Sequence, residues 1–114
     1  MNGTYKLIGR LGSGSSACEA MLALSSLPYE TEDLDHWPDR QPPAGLTALN
    51  PLGQVPVLIL PDGTVLTESA AIVMHLANLA KPAKLAPDAG TPEHAQYLRL
   101  MLFLAANVYM TDLC

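Results

Sequence analysis

The sequence predicts an α/β fold in which a small mixed sheet of four strands is flanked by helices. Two local patterns carry this prediction: a strand–helix–strand order near the N-terminus and an Asp-Gly hairpin in the middle of the chain. The first order favours a parallel pair joined by a right-handed crossover, and the hairpin adds an antiparallel edge. A sheet that contains both kinds of pairing is mixed.

The strand–helix–strand unit begins close to the N-terminus. Residues 5–9 are short and apolar and predict a strand, which a Gly/Ser-rich turn separates from a helix at 17–27. Pro28 ends that helix, and residues 29–34 alternate with acidic side chains as an exposed strand does. The stretch 36–48 is rich in proline, so we expect a loop with one short helix near its end.

The hairpin is the clearest local signal in the sequence. Apolar runs at 57–60 and 64–67 meet at Asp62-Gly63, where the glycine is free to take a positive φ. A helix is expected at 69–80, because its apolar side chains repeat with helical spacing and a proline lies beyond its end. These elements complete the predicted order of the sheet and its helices.

The C-terminal part of the chain predicts a linker and one further helix. Residues 82–90 have linker composition, and Thr91 is expected to cap a helix that has Pro92 at its first position. That helix is expected to run to the C-terminus, and between 98 and 110 it is apolar on nearly every face, as a helix buried on all sides is. We therefore expect the chain to be a fragment of a longer protein. The expected divisions are a first domain at 1–81, a linker at 82–90 and the first helix of a second domain at 91–114.

Composition and charge exclude several classes of function. The chain has 114 residues, of which 49% are apolar and 15% are charged, and its formal charge is −5. The chain is long enough for one core, and without a Lys/Arg stripe neither a nucleic acid nor an acidic membrane surface is an expected partner. Neither a bilayer-spanning run nor a signal peptide is recognisable. Cys18 and Cys114 stand too far apart in sequence to form a CxxC pair, so a cytoplasmic, reducing location is expected.

A glycine-rich turn near the N-terminus matches a known fingerprint. The segment Gly12-Ser-Gly-Ser-Ser-Ala17 fits the G-x-G-x-x-G/A pattern of dinucleotide-binding domains, and Asp33 and Asp35 lie about 20 residues further on. A dinucleotide site needs more parallel strands after the second one, whereas this chain continues with a hairpin. Dinucleotide binding is therefore kept only as a minor alternative to a flexible turn before a helix.

Two segments in the middle of the chain have features of a peptide-binding site. Asn50-Pro-Leu-Gly-Gln-Val-Pro leads into a strand, and Val55, before a proline that is expected in cis, can offer backbone N–H and C=O groups to an extended peptide. Glu68 and Ser69 begin a helix, whose free N–H groups attract a carboxylate while the Glu68 side chain can pair with an ammonium group. The structural alternative is a turn followed by a helix that the Ser69 hydroxyl caps.

The stretch that begins at Leu49-Asn-Pro-Leu-Gly-Gln-Val-Pro-Val and ends at Glu68-Ser-Ala-Ala-Ile-Val-Met-His-Leu76 resembles the glutathione-binding half of glutathione transferases. The resemblance implies a thioredoxin-like βαβ-ββα domain with a mixed four-stranded sheet, followed by an all-helical domain. It also implies an enzyme that uses glutathione as co-substrate, needs no metal, activates the glutathione thiol for attack on an electrophilic small molecule and forms a homodimer at full length. On this expectation the 114-residue chain by itself has little activity.

The resemblance also implies roles for individual residues. Val55, with Pro56 in cis, holds the cysteinyl backbone of glutathione, and Glu68 and Ser69 hold its γ-glutamyl end. Gln54 lies near the cysteinyl–glycine portion. Arg40 is the nearest cation for the glycine carboxylate.

The residue that activates the thiol lies just after the first strand in this family and is a tyrosine, a serine or a cysteine. A tyrosine-type site falls near Gly9, and Tyr5 comes too early, so the serine-rich turn supplies the candidates. These are Ser15, which we favour, and Ser13 and Ser16. A hydroxyl donor there lowers the thiol pKa from about 8.5 towards neutrality by stabilising the thiolate.

Two further interpretations remain open at this stage. A protein with this fold can serve as a non-catalytic scaffold or interaction module, and then none of the serines acts on a thiol. Cys18 is expected to be a small buried residue rather than a redox thiol, and the three histidines lack metal-ligand spacing.

Overall fold

The structure, a computed structural model, describes residues 3–10, 15–34, 44–80 and 83–105. Four strands form one sheet in the order β2-β1-β3-β4, with helices packed against it. In chain order the elements are β1 (Tyr5–Gly9), α1 (Ser15–Ser25), β2 (Tyr29–Asp33), α2 (Ala44–Leu49), β3 (Val57–Ile59), β4 (Val65–Thr67), α3 (Ser69–Leu79) and α4 (Pro92–Leu104).

The sheet is mixed, as the sequence predicts. β1 pairs in parallel with β2 and antiparallel with β3, and β3 pairs antiparallel with β4. Of the pairs that the structure describes, β1–β2 alone is parallel, and this corrects the dinucleotide interpretation, which requires the parallel sheet to continue beyond the second strand. The glycine-rich turn at 11–14 that suggested it lies outside the described residues.

The sheet has a core on each face, because successive side chains of a strand point to opposite sides. On β1, Leu7 faces a cluster shared with α1 and α3, and Ile8 faces a smaller cluster under α2. The buried members of the larger cluster are Leu7, Cys18, Leu22, Leu58, Ile72 and Leu76. The buried members of the smaller cluster are Ile8, Leu46 and Val57. The expected short helix in the proline-rich stretch is α2, while residues 35–43 of that stretch are not among the described ones.

Helix α1 begins and ends two residues earlier than predicted. It begins at Ser15, whose buried hydroxyl bonds to the Arg10 backbone and so closes the turn after β1. It ends at Ser25, because Ser26 takes a left-handed conformation with φ 59° and breaks the helical bonds before Pro28 is reached. The left-handed residue, rather than the predicted proline, therefore sets this boundary.

The two later helices begin differently from each other. Thr91 caps α4 as predicted, since its hydroxyl accepts a hydrogen bond from the His94 N–H at 3.1 Å and Pro92 is the first helical residue. The structural alternative for α3, a cap by the Ser69 hydroxyl, is wrong. Glu68 occupies the cap position with φ 73°, no side chain makes a capping bond there, and Ser69 is the first residue inside the helix.

Helix α4 lies against α3 but buries none of its residues fully. Leu102 and Phe103 are 60% and 53% exposed. The apolar composition of this helix instead predicts burial on all sides. The predicted continuation of this helix beyond residue 105 lies outside the described residues. None of the described helices has the length and hydropathy that crossing a bilayer requires.

Candidate functional site

The strand register brings three chain segments to one edge of the sheet. Ile8 of β1 lies opposite Val57 of β3, and Val57 lies opposite Thr67 of β4. Because the three strands are aligned at this level, the residues that follow β1, precede β3 and follow β4 meet at the same edge. Those segments are Arg10 after β1, the Val55–Pro56 dipeptide and the start of α3.

The segment before β3 presents a free stretch of backbone. The Val55–Pro56 peptide bond is cis, Pro56 is buried, and the half-buried Val55 side chain packs against the cluster under α2. Among the described residues, none hydrogen-bonds to the N–H or C=O of Val55. A strand-like residue with both groups unpaired is suited to pair with an extended peptide. The Gln54 side chain beside it is exposed.

The start of α3 adds a carboxylate and a helix N-terminus to this edge. The first intrahelical bond runs from the Ile72 N–H to the Glu68 C=O at 3.0 Å. The N–H groups of the helical residues before Ile72 therefore have no acceptor within the helix. Glu68 is exposed and has a positive φ of 73°, a conformation that costs a non-glycine residue of the order of 1 kcal/mol and that often marks a functional position. Ser69 is half-buried at the first helical position.

The start of α1 forms the third part of the edge. The Ser15 hydroxyl lies 3.2 Å from both the backbone N and the backbone O of Arg10, accepting from the first and donating to the second, and the residue is 6% exposed. The fit is close, since a Cβ atom at Gly9 would clash with the Oγ and Cβ atoms of Ser15. Ser16, one position further along the helix, is exposed. The other predicted site residues, Ser13 and Arg40, lie outside the described residues.

Cys18 joins the first turns of α1 and α3. Its thiol donates to the Ser69 C=O at 3.8 Å, and the side chain is fully buried. Burial raises the pKa of this thiol to about 12, so it stays protonated near neutral pH and lacks the thiolate that redox chemistry requires. The expected packing role of Cys18 therefore agrees with its environment.

No metal site is apparent in the ranges that the structure describes. No group of three His, Cys, Asp or Glu side chains within these ranges is arranged to hold a metal ion. His75 lies half-buried in α3, and its Nε2 has no hydrogen-bond partner among the described residues.

Sequence analysis did not single out Asn50, which supports the segment before β3. It is buried, and its carboxamide hydrogen-bonds on both sides of the turn that leads to Val55. A signal was present, because an asparagine at the start of a Pro/Gly-containing turn often bonds to the backbone two residues ahead. That signal indicates a turn, and only the structure connects the turn to the exposed backbone of Val55.

The sheet order and the two helices on one face define a thioredoxin-like domain, in which a cis-proline precedes β3. The chain belongs to the glutathione S-transferase family, since residues 15–79 match the family model for the glutathione S-transferase N-terminal domain.

Individual relatives agree with this assignment. The uncharacterized GST-like protein YncG of Escherichia coli (strain K12) is 39% identical over 108 residues, which make up 93% of this chain and 51% of that protein. Glutathione S-transferase GST-4.5 of Xanthomonas campestris pv. campestris is 32% identical over 106 residues, covering 93% of this chain and 50% of that protein. A crystal structure of a glutathione transferase homologue from Sulfitobacter with bound glutathione matches with a TM-score of 0.82 at 32% identity, over 96% of this chain and 52% of that one. The chain spans about half the length of these relatives.

Proposed function

We propose that this chain is the glutathione-binding half of a glutathione transferase, which holds glutathione and activates its thiol for attack on an electrophilic small molecule. The observation that carries the proposal is the Val55 backbone, which has no hydrogen-bond partner among the described residues and lies at the same sheet edge as Glu68 and the N-terminus of α3. Glutathione has a peptide backbone, an ammonium group and a carboxylate, and this edge offers a complementary group to each. The Sulfitobacter homologue with bound glutathione supports the choice of ligand.

Each group at the edge has a role in this proposal. The N–H and C=O of Val55, presented by cis-Pro56, pair with the cysteinyl backbone as an added strand does. Glu68 pairs with the γ-glutamyl ammonium, while Ser69 and the N–H groups of the first turn receive the γ-glutamyl carboxylate. Gln54 and Arg40 take the remaining cysteinyl–glycine portion, Arg40 through the glycine carboxylate.

Thiol activation falls to a hydroxyl in the serine-rich turn. The hydroxyl donates a hydrogen bond to the sulfur, so that the thiolate is stabilised and the thiol proton is released to water. The thiolate then attacks an electrophilic carbon, and the C–S bond forms as a leaving group departs with the electron pair of the bond that breaks. Ser15, Ser13 and Ser16 are the candidates, and the family position favours Ser15.

The environments of two of these serines differ, and the difference makes them separable. The Ser15 hydroxyl is buried and bonded to the Arg10 backbone, so removing it should also lower stability, by about 1 kcal/mol. Ser16 is exposed on the same helix, so Ser16→Ala should leave the stability nearly unchanged.

The buried hydroxyl of Ser15 also favours a second candidate function. If that hydroxyl serves only to close the turn after β1, the chain can bind glutathione without activating its thiol. The protein is then a non-catalytic module with the same fold. The two candidates share the binding edge and differ in the pKa of the bound thiol.

The test is a titration of the isotope-labelled full chain with glutathione, followed by amide chemical shifts. We expect shifts at Val55, Glu68 and Ser69. Glu68→Gln should weaken binding of glutathione much more than binding of the dipeptide cysteinyl-glycine, which lacks the γ-glutamyl group that Glu68 contacts. The proposal fails if glutathione leaves these amides unmoved in a folded sample.

The ultraviolet absorbance of the bound thiolate then separates enzyme from module. Ser13→Ala, Ser15→Ala and Ser16→Ala are compared with Ser25→Ala, which removes a buried hydroxyl bonded to the Leu22 C=O at the other end of α1. In an enzyme one of the first three variants raises the pKa of the bound thiol and Ser25→Ala does not. An unchanged pKa in all four variants favours the module.

The rest of the proposal concerns the longer protein. Residues 82–90 serve as a linker and 91–114 as the beginning of an all-helical domain, which supplies most of the electrophile site and part of a homodimer interface. The location is cytoplasmic, in keeping with the unpaired thiol of Cys18. The present chain should therefore show little transferase activity, and a rate near that of a full-length relative would contradict this domain assignment.

A further inference from the structure

We propose that Asn50 is a positioning residue, which orients the Val55 N–H for its hydrogen bond to the ligand without touching the ligand itself. The inference rests on the proposed function, in which the Val55 backbone pairs with glutathione. Asn50 is 7% exposed and lies in the turn between α2 and β3.

Asn50 holds this turn through four hydrogen bonds. Its Nδ2 donates to the Gln54 C=O at 3.0 Å, and its Oδ1 accepts from the Leu52 N–H at 3.2 Å. Its backbone N–H donates to the Leu46 C=O and its backbone C=O accepts from the Gly53 N–H, each at 2.8 Å. Asn50 thus connects the end of α2 with the backbone of the turn that precedes Val55.

The bond to Gln54 has a direct consequence for Val55. The Gln54 C=O and the Val55 N–H belong to the same peptide unit, which is planar and holds the two groups pointing in opposite directions. When the Asn50 Nδ2 fixes the carbonyl, it also fixes the direction of the N–H. That N–H has no partner among the described residues, so its direction is fixed while it stays free to donate to a ligand.

The two ends of the carboxamide have separate effects, and a single variant distinguishes them. Asn50→Asp preserves the shape of the side chain and the acceptor for the Leu52 N–H, but it places a carboxylate oxygen against the Gln54 carbonyl. Two acceptors repel each other, so the peptide unit must turn away. Asn78→Asp is the matched control, because the Nδ2 of Asn78 also donates to a backbone carbonyl, that of Met74 at 3.3 Å, on the exposed side of α3.

The experiment measures glutathione affinity and the orientation of the Val55 N–H in the full chain. We expect Asn50→Asp to weaken glutathione binding by about tenfold or more, because a small misplacement of a binding group is costly. Residual dipolar couplings in the ligand-free protein should show a reoriented Val55 N–H in Asn50→Asp and the native orientation in Asn78→Asp. Asn78→Asp should also retain the native affinity. A folded Asn50→Asp that binds glutathione as the native chain does overturns the proposal.

A measurement on the native chain keeps the proposal testable if Asn50→Asp does not fold. During a glutathione titration the Val55 amide should shift while the Asn50 side-chain amide protons stay in place. Side-chain protons that titrate together with Val55 overturn the proposal, because Asn50 then contacts the ligand. If the native chain binds no glutathione and Asn50→Asp still reorients the Val55 N–H, the proposed function fails and the orienting role is supported.

Discussion

Helices α3 and α4 have similar lengths and are both rich in apolar side chains, yet they are packed very differently. In α3 the side chains of Ala70, Ile72, Leu76 and Ala77 are buried, whereas in α4 no residue is buried. The difference comes from what lies beside each helix. Helix α3 shares one face of the sheet with α1. Helix α4 packs mainly against α3.

The candidate site involves the well-packed helix α3 and not the exposed helix α4. The first turn of α3 provides Glu68 and Ser69, and the buried face of the same helix fixes it to the sheet that presents Val55. The residues of the candidate site are therefore held in place by the main core. The described part of α4 adds little to that core, and it displays apolar surface of the kind that other protein surface usually covers.

The strongest test of the comparison replaces one leucine in each helix. Leu76→Ala in α3 should lower the free energy of unfolding by about 2–5 kcal/mol, because it opens a cavity in the main core. Leu102→Ala in α4 should change it by less than about 0.5 kcal/mol, since that side chain is 60% exposed. Chemical denaturation measures both variants. Equal losses would mean that α4 belongs to the same core as α3.

A second test uses the buried thiol between α1 and α3. The pKa of Cys18 is raised to about 12 in the folded chain from its ordinary value of 9.0, by burial. Below the ordinary value the thiol is protonated in both states and contributes no pH dependence. As the pH rises from there towards the folded pKa, only the unfolded chain loses the proton, so the free energy of unfolding falls by up to about 1.4 kcal/mol per pH unit.

Denaturation of the native chain and of Cys18→Ser at several alkaline pH values checks this slope. The variant lacks a titrating thiol, so it should lose less stability over the same range, and the other alkaline groups cancel in the comparison. Identical pH slopes for the two chains would indicate that water reaches the Cys18 thiol and that α1 and α3 do not pack closely around it.

A third test removes the cap of α4. Thr91→Ala should cost the helix about 1 kcal/mol, because the His94 N–H loses its acceptor. If α4 contributes little to the core, the loss should appear as weaker amide-exchange protection in α4, with an unchanged denaturation midpoint for the sheet. Thr64→Ala, on the exposed hairpin, is the control. A lower midpoint for the whole chain would argue that the two regions unfold together.

The smallest effect is expected at the end of α1. Ser26 has a left-handed conformation with φ 59° and an exposed side chain, so Ser26→Gly should stabilise the chain by about 0.5 kcal/mol by removing that strain. Ala23→Gly, at an exposed position inside the same helix, should destabilise it. Thermal melting of both variants gives the two signs, and a loss of stability in Ser26→Gly would mean that the serine side chain is needed there.

Local chemistry made much of this fold predictable. The Asp62-Gly63 turn was expected from two residues, and Gly63 does take a positive φ of 93°. Thr91 and Pro92 mark the start of α4 as predicted, because a cap acts through bonds within one turn. The candidate residues Val55, Glu68 and Ser69 were expected from their backbone and helix-terminus chemistry as well as from a resemblance in sequence, and their roles are proposals.

Other features depend on residues that are distant in sequence or on backbone conformation. The structural alternative places the cap of α3 at Ser69 on residue type, but the structure has Glu68 at the cap position with a positive φ, directly after the strand that ends at Thr67. The sequence also predicts too late a start for α1, because the hydrogen bond between the Ser15 hydroxyl and the Arg10 backbone depends on a backbone conformation that residue type alone does not specify.

By itself the sequence determined the class of fold, the order of its elements and the local turns, since these depend on periodicity and on residues within one turn of each other. Only the tertiary structure decided that the turn after β1, Val55 and the start of α3 meet at one edge, because that meeting depends on the register of β1, β3 and β4. It also decided that α3 is buried and the described part of α4 is not, because burial depends on the neighbours that a helix finds.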